Sequence, residues 1–188
     1  VTPEVEVGRY GLRSFRYLHD NTTLRPIASG LENIDCWVDG TCEAQCLRHI
    51  FWWSEPYSAK REPSGHEAPD EDCNCGIYGS LSYQHLYNAY PHHAGLLVAV
   101  IAAEGQTLLG PLGFRTQFAR VVAYAPRGIG VRVVALRQFK DAKEYVNITQ
   151  MLADYHIPYY GAEGKGGGWS GSTFWKQGEE RVEWPSSK

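Results

Sequence analysis

Gly95-Leu96-Leu97-Val98-Ala99-Val100-Ile101-Ala102-Ala103-Glu104-Gly105 is the stretch that decides how the chain is read. Leu96 to Ala103 is apolar at every position and closed by Glu104-Gly105, so turn signals bracket a run that is short for a helix and suits a buried strand. Gly95 to Ala103 is also the longest apolar stretch, far below the about 20 residues needed to cross a bilayer. Toward the C-terminus, Phe114 to Tyr124 and Val131 to Leu136 mix β-formers with spaced arginines, and Ala125-Pro126-Arg127-Gly128 between them carries turn chemistry. These segments predict an antiparallel meander. Beyond it, Tyr145, Ile148 and Leu152 have helical spacing, which predicts a helix over Asp141 to Tyr155 with Asp141 as N-cap.

Toward the N-terminus, Ser82 to Tyr90 contains neither Gly nor Pro and reads as a short helix ended by Pro91. Leu12, Phe15, Tyr17 and Leu18 suggest a strand, Asp20-Asn21 a turn, and Leu24 to Ser29 a second strand that Pro26 confines to an edge. The expected fold class is α+β: an antiparallel β-meander with two short helices and a zinc-stapled irregular lobe. The domain is expected over residues 1–160, with the lobe at 36–76. Residues 161–188 are expected to be a flexible glycine-rich tail, since seven of the eighteen positions from Gly161 to Gly178 are glycine. A chain of 188 residues with 43% hydrophobic and 21% charged side chains supports one such core, and with a mean hydropathy of -0.38 it excludes collagen-like, coiled-coil and fully disordered classes.

The lobe takes its name from its cysteines and histidines. Cys46 is followed by His66-Glu67-Ala68-Pro69-Asp70-Glu71-Asp72-Cys73-Asn74-Cys75-Gly76. Cys46, His66, Cys73 and Cys75 would supply the three thiolates and one imidazole of a closed, tetrahedral, structural Zn2+ site. Two other sets use the same region. Cys42 would join Cys46 on one face if that segment were helical, and His49 lies one further turn on. Buried thiols, or a disulfide that leaves an odd cysteine and needs an oxidising compartment, are the competing explanations.

The pattern Trp37-x-x-Gly40-x-x-x-Ala44-x-Cys46, then His66-x-x-Pro69-x-x-x-Cys73-x-Cys75-Gly76-Ile77-Tyr78, then Gly113-Phe114-Arg115 resembles a family of small uncharacterised actinobacterial and actinophage proteins. The similarity covers most of residues 10–158, with Gly79 standing where the family pattern has Ala. It brings no activity, but it implies Cys46, His66, Cys73 and Cys75 as the ligand set in preference to Cys42. Gly76-Ile77-Tyr78 also resembles half of a GIY-YIG nuclease motif, whose second half is missing. No catalytic residue is assigned.

Charge is segregated. Residues 61–112 carry six acids against Arg61 alone, whereas residues 113–143 carry seven bases against Asp141. Arg115, Arg132 and Arg137 are therefore the candidate partner-binding residues. The expected function is a non-catalytic zinc-stabilised binding or regulatory module, phage-encoded if the resemblance holds, with a protein partner. The alternatives are a nucleic-acid-binding protein using the basic 113–143 segment and an enzyme with an unrecognised site. Without an export signal or an apolar span in the sequence given, the expected setting is cytoplasmic, with no membrane partner.

Overall fold

The apolar run lies in β7 (Leu97–Leu109), which pairs along its length with β8 (Gly113–Pro126) as a long antiparallel hairpin. The computed structural model describes residues 10–17, 24–26, 37, 39–49, 61–63, 65–90, 96–161 and 180–184. Before the hairpin come β1 (Tyr10–Tyr17), β2 (Leu24–Pro26), β3 (Thr41–Glu43), β4 (Leu47–His49), β5 (Arg61–Pro63), β6 (Ile77–Ser80) and helix α1 (Tyr83–Ala89). After it come α2 (Ile129–Gln138), β9 (Lys143–Glu144), α3 (Ile148–Asp154) and β10 (Glu180–Trp184). The fold is α+β, with eight strands in one largely antiparallel sheet and β4–β5 as a separate pair.

The apolar run has no polar face because both sides of β7 are covered. Leu97, Ala99, Ile101 and Ala103 point into a core with Val131, Val134 and Ala135 of α2 and with Phe139. Val98 and Val100 point the other way, onto Tyr83 and Leu86 of α1, Met151 and Leu152 of α3, and Tyr145. Side chains alternate across a strand, so a helix layer on each face demands an apolar residue at each position. The strand does not stop at Glu104-Gly105. Register shifts there, where Glu104 pairs with Phe118 and Thr107 with Thr116, leaving Gly105 and Gln106 opposite Gln117. The turn signal read in the sequence is thus a bulge inside a longer strand.

Three segments differ from expectation. Val131 to Leu136 is not a strand beside β8 but part of α2, because its buried residues Val131, Val134 and Ala135 recur at helical spacing against the sheet. Asp141 to Tyr155 is not one helix: β9 pairs in parallel with β8, and α3 begins only after Asn147, whose side chain accepts from the Thr149 amide at 2.8 Å. Asp141 therefore caps nothing in α3, and the described residues hold three helices. Finally, residues 180–184 of the expected tail form β10, which pairs with β7 from Gly105 to Leu109. β1 covers β7 only from Val98 to Ala102, and the rest of that edge offers backbone groups to a further strand. Residues 162–179 of the tail lie outside the described residues.

Short α1 matches its reading, with Ser82 accepting from the His85 amide at 3.2 Å as N-cap. β6 pairs with β8 along Ile77–Ser80 and touches β1 through Leu12 and Ser80, closing a ring of β1, β7, β8 and β6. Within it Gly79 lies directly across from Phe114, and a Cβ there would come within 2.3 Å of the Phe114 ring. Glycine at 79 makes room for that ring.

Candidate metal centre

β8 assembles the site along one edge. β7 occupies its other edge, while β6 pairs with residues 113–116 and β3 with residues 118–120. The two short strands therefore lie end to end. Cys75 sits just ahead of β6 and Cys46 just beyond β3, where the Ala44 amide donates to the Gln117 carbonyl at 2.7 Å. Between Gly65 and Gly76 the chain forms an irregular loop. The Cys73 amide donates to the Asp70 carbonyl at 3.2 Å, and the Asp72 amide donates to Asp70 Oδ1 at 2.9 Å.

This arrangement brings Cys46, His66, Cys73 and Cys75 together, with all four ligand atoms within 4.8 Å of one another. Cys46 Sγ and Cys73 Sγ are 3.5 Å apart, and Cys75 Sγ and His66 Nε2 are 3.4 Å apart. Zn–S bonds of about 2.3 Å and a Zn–N bond of about 2.0 Å give tetrahedral edges of about 3.5 to 3.8 Å. The four side chains could hold a metal ion. Cys75 is buried, Cys46 and Cys73 are half-buried, and His66 is exposed. Burial first, then the neighbouring Cys46 and Cys73, push the Cys75 thiol up to about 12. A cation at the centre would reverse that balance, since a coordinated thiol is deprotonated.

The loop is built on Arg115. This guanidinium has 0% exposure, and its Nη1 donates to the carbonyl oxygens of Asp70 at 3.1 Å, Cys73 at 2.5 Å and Cys75 at 3.0 Å. Gly76 completes the bend with φ of +116°, and a Cβ there would lie 3.0 Å from Pro69 Cβ and 3.1 Å from Arg115 Cβ. Tyr78 closes it from outside, donating its hydroxyl to the Asn74 carbonyl at 2.8 Å. The role of Arg115 is not visible in charge spacing.

Cys42 is not an alternative ligand. Its segment is strand β3 and not a helix, its side chain is 5% exposed in the core, and it is disulfide-bonded, chemistry that a reducing cytoplasm disfavours. Cys46, Cys73 and Cys75 are free thiols, and Cys36 lies outside the described residues. His49 ends β4, and its side chain is likewise outside them.

The expected partner surface breaks apart. Arg115 is interior, whereas Arg132 and Arg137 are exposed on α2. Arg132 Nε donates to Glu144 Oε1 at 2.6 Å. Other bases of the 113–143 segment meet acids as well: Arg120 lies 3.6 Å from Glu104, Lys140 3.9 Å from Asp39 and Lys143 3.2 Å from Asp154. Four of the seven bases of the segment thus meet acids within the fold, and a fifth, Arg115, is interior. Among the described residues no helix is long and apolar enough to cross a membrane. No family model matches the chain, and neither a curated protein nor a solved structure matches it.

Proposed function

We propose that Cys46, His66, Cys73 and Cys75 bind one structural zinc ion, and that the protein is a non-catalytic binding or regulatory module whose irregular lobe that ion holds in place. The observation carrying this reading is the convergence of four ligand atoms within 4.8 Å from segments far apart in the chain. Three thiolates and one imidazole complete four-coordination and leave no position for water, which separates a structural zinc from a catalytic one. Thiolate-rich donors also favour zinc over magnesium or calcium, which take oxygen ligands.

The test is elemental analysis and native mass spectrometry of the purified protein, with an expected content of one zinc per chain. Replacement by Co2+ should give the visible absorption of a tetrahedral thiolate site. Zinc well below one per chain after purification and reconstitution, or a cobalt spectrum of octahedral type, would overturn the reading.

A further inference from the structure

We infer that the cavity at the open end of the β7–β8 hairpin binds a small organic acid, a monoanionic carboxylate whose apolar body is the size of one aromatic ring. Val98 and Ala125 stand directly opposite each other in register and face the core that α1 and α3 cover. Beyond them the strands end. The Arg127 amide donates to the Leu96 carbonyl at 2.8 Å, and the Tyr145 amide, just past β9, donates to the Tyr124 carbonyl at 2.8 Å. The chain then turns through Val146 and Asn147 into Ile148, the first residue of α3. Ala125 reaches only one carbon above the sheet, and a cavity of about 390 Å³ remains between sheet and turn. Its apolar side is Val98, Ala125, Pro126, Val146 and Ile148.

Two polar side chains complete the lining, and both have donors to offer. Arg127 is exposed and takes part in none of the ion pairs found among the described residues. Asn147 has its Oδ1 engaged by the Thr149 amide at 2.8 Å, which leaves the NH2 of that side chain to donate. Neither Asp nor Glu is among the described residues that line the cavity.

Charge selects the ligand. Apolar walls with a few polar groups are the layout of a small-molecule pocket, where the polar groups orient a largely apolar body. A guanidinium pairs with carboxylate and phosphate alike through its fork of N–H donors. Here one cation stands beside one neutral amide, which matches the single charge of a carboxylate and leaves part of a phosphate monoester's charge unmet. The volume lies near the lower end of the range of about 300 to 1,000 Å³ for ligand pockets, so the body is one ring or a short branched chain. Val146, 99% exposed at the rim, is the apolar surface that such a body would take out of water. The site is independent of the metal reading, since none of its residues is a candidate ligand of the ion.

The test uses the full purified chain, labelled for amide NMR, and three probes that share a phenyl ring: phenylacetate, phenethylamine and phenyl phosphate. Phenylacetate should shift the amide signals of Ala125, Arg127, Val146, Asn147 and Ile148 saturably, with half-saturation near about 1 mM for a ligand of so few atoms. Phenethylamine should leave them in place, and phenyl phosphate should bind at least about threefold more weakly than phenylacetate. Arg127→Gln, at an exposed position, should weaken phenylacetate about tenfold with the fold intact. Ala125→Ile, which fills the cavity, should abolish its effect. Unmoved signals at these residues with phenylacetate, equal shifts with phenethylamine, or binding untouched by Arg127→Gln overturns the proposal. Tighter binding of phenyl phosphate than of phenylacetate overturns it as well.

Discussion

Arg115 Nη1 donates to the carbonyl oxygen of Cys73 at 2.5 Å, tying a buried cation on β8 to the backbone of a candidate metal ligand. The same nitrogen serves the carbonyls of Asp70 and Cys75. A loop with little regular structure thus has its polar backbone satisfied from the sheet beneath it, which fixes where its thiols point. Arg115→Met should strand three carbonyls at once. The expected loss is about 3 kcal/mol or more in denaturant unfolding, together with weaker zinc retention in chelator competition. Arg115→Lys should keep more of both, because three ammonium donors can serve converging acceptors. A methionine variant as stable and as zinc-tight as the parent would show that the contacts are incidental.

The proposed ion should be linked to protons. With the metal-free Cys75 thiol at about 12, that group carries its proton at neutral pH. Zinc uptake must expel it, so binding should release protons and weaken as pH falls. Calorimetry in buffers of different ionisation enthalpy measures the release directly. Zinc binding with no proton release at pH 7 would contradict the thiolate ligand set.

Gly76→Ala should disturb the same loop from the backbone. The φ of +116° is unfavourable for any residue with a Cβ, and the new carbon would press on Pro69 and Arg115. The expected cost is about 1 to 3 kcal/mol, with faster zinc loss to a chelator. Gly79→Ala should destabilise to a similar extent, about 1 to 3 kcal/mol, by crowding Phe114, but should leave zinc stoichiometry intact. Thermal melts with paired metal analysis distinguish the two.

Away from the lobe, the Tyr145 hydroxyl, the Gln150 amide and the Lys143 ammonium hold the Asp154 carboxyl at about 2, below its ordinary 3.8. A depressed carboxylate stabilises the fold fully above its unfolded value. That contribution fades as pH falls from about 4 through about 2. Asp154→Asn should therefore unfold more easily than the parent at neutral pH, with the difference closing over that interval. Urea midpoints of both proteins across the acid range provide the comparison, and a constant difference would remove Asp154 as its source.

That this region could hold a metal was legible before the fold, because ligand chemistry is written in residue type: thiols and an imidazole in a segment without clean periodicity need no geometry to suggest a metal, though they leave Cys42 and His49 open as ligands. The β7 run was legible for a similar reason, since an apolar residue at each position excludes a solvent face. α2 was not. Its valines favour strand locally, and only the packing of Val131, Val134 and Ala135 on Leu97, Ala99 and Ile101 decides for helix. Arg115 was misjudged as surface by the same limitation, because charge in a sequence carries no sign of depth.

By itself, then, the sequence determined an α+β chain with a buried strand at its centre and a thiol–imidazole set of metal-ligand chemistry, since these follow from composition, alternation and ligand type. Only the tertiary structure decided that Cys46 and Cys75 are neighbours, that Cys42 is not one of the set, and that Arg115 lies beneath the loop while Arg132 and Arg137 lie outside. Those outcomes depend on β3 and β6 sharing one edge of β8, a long-range pairing whose register no local stretch of residues encodes.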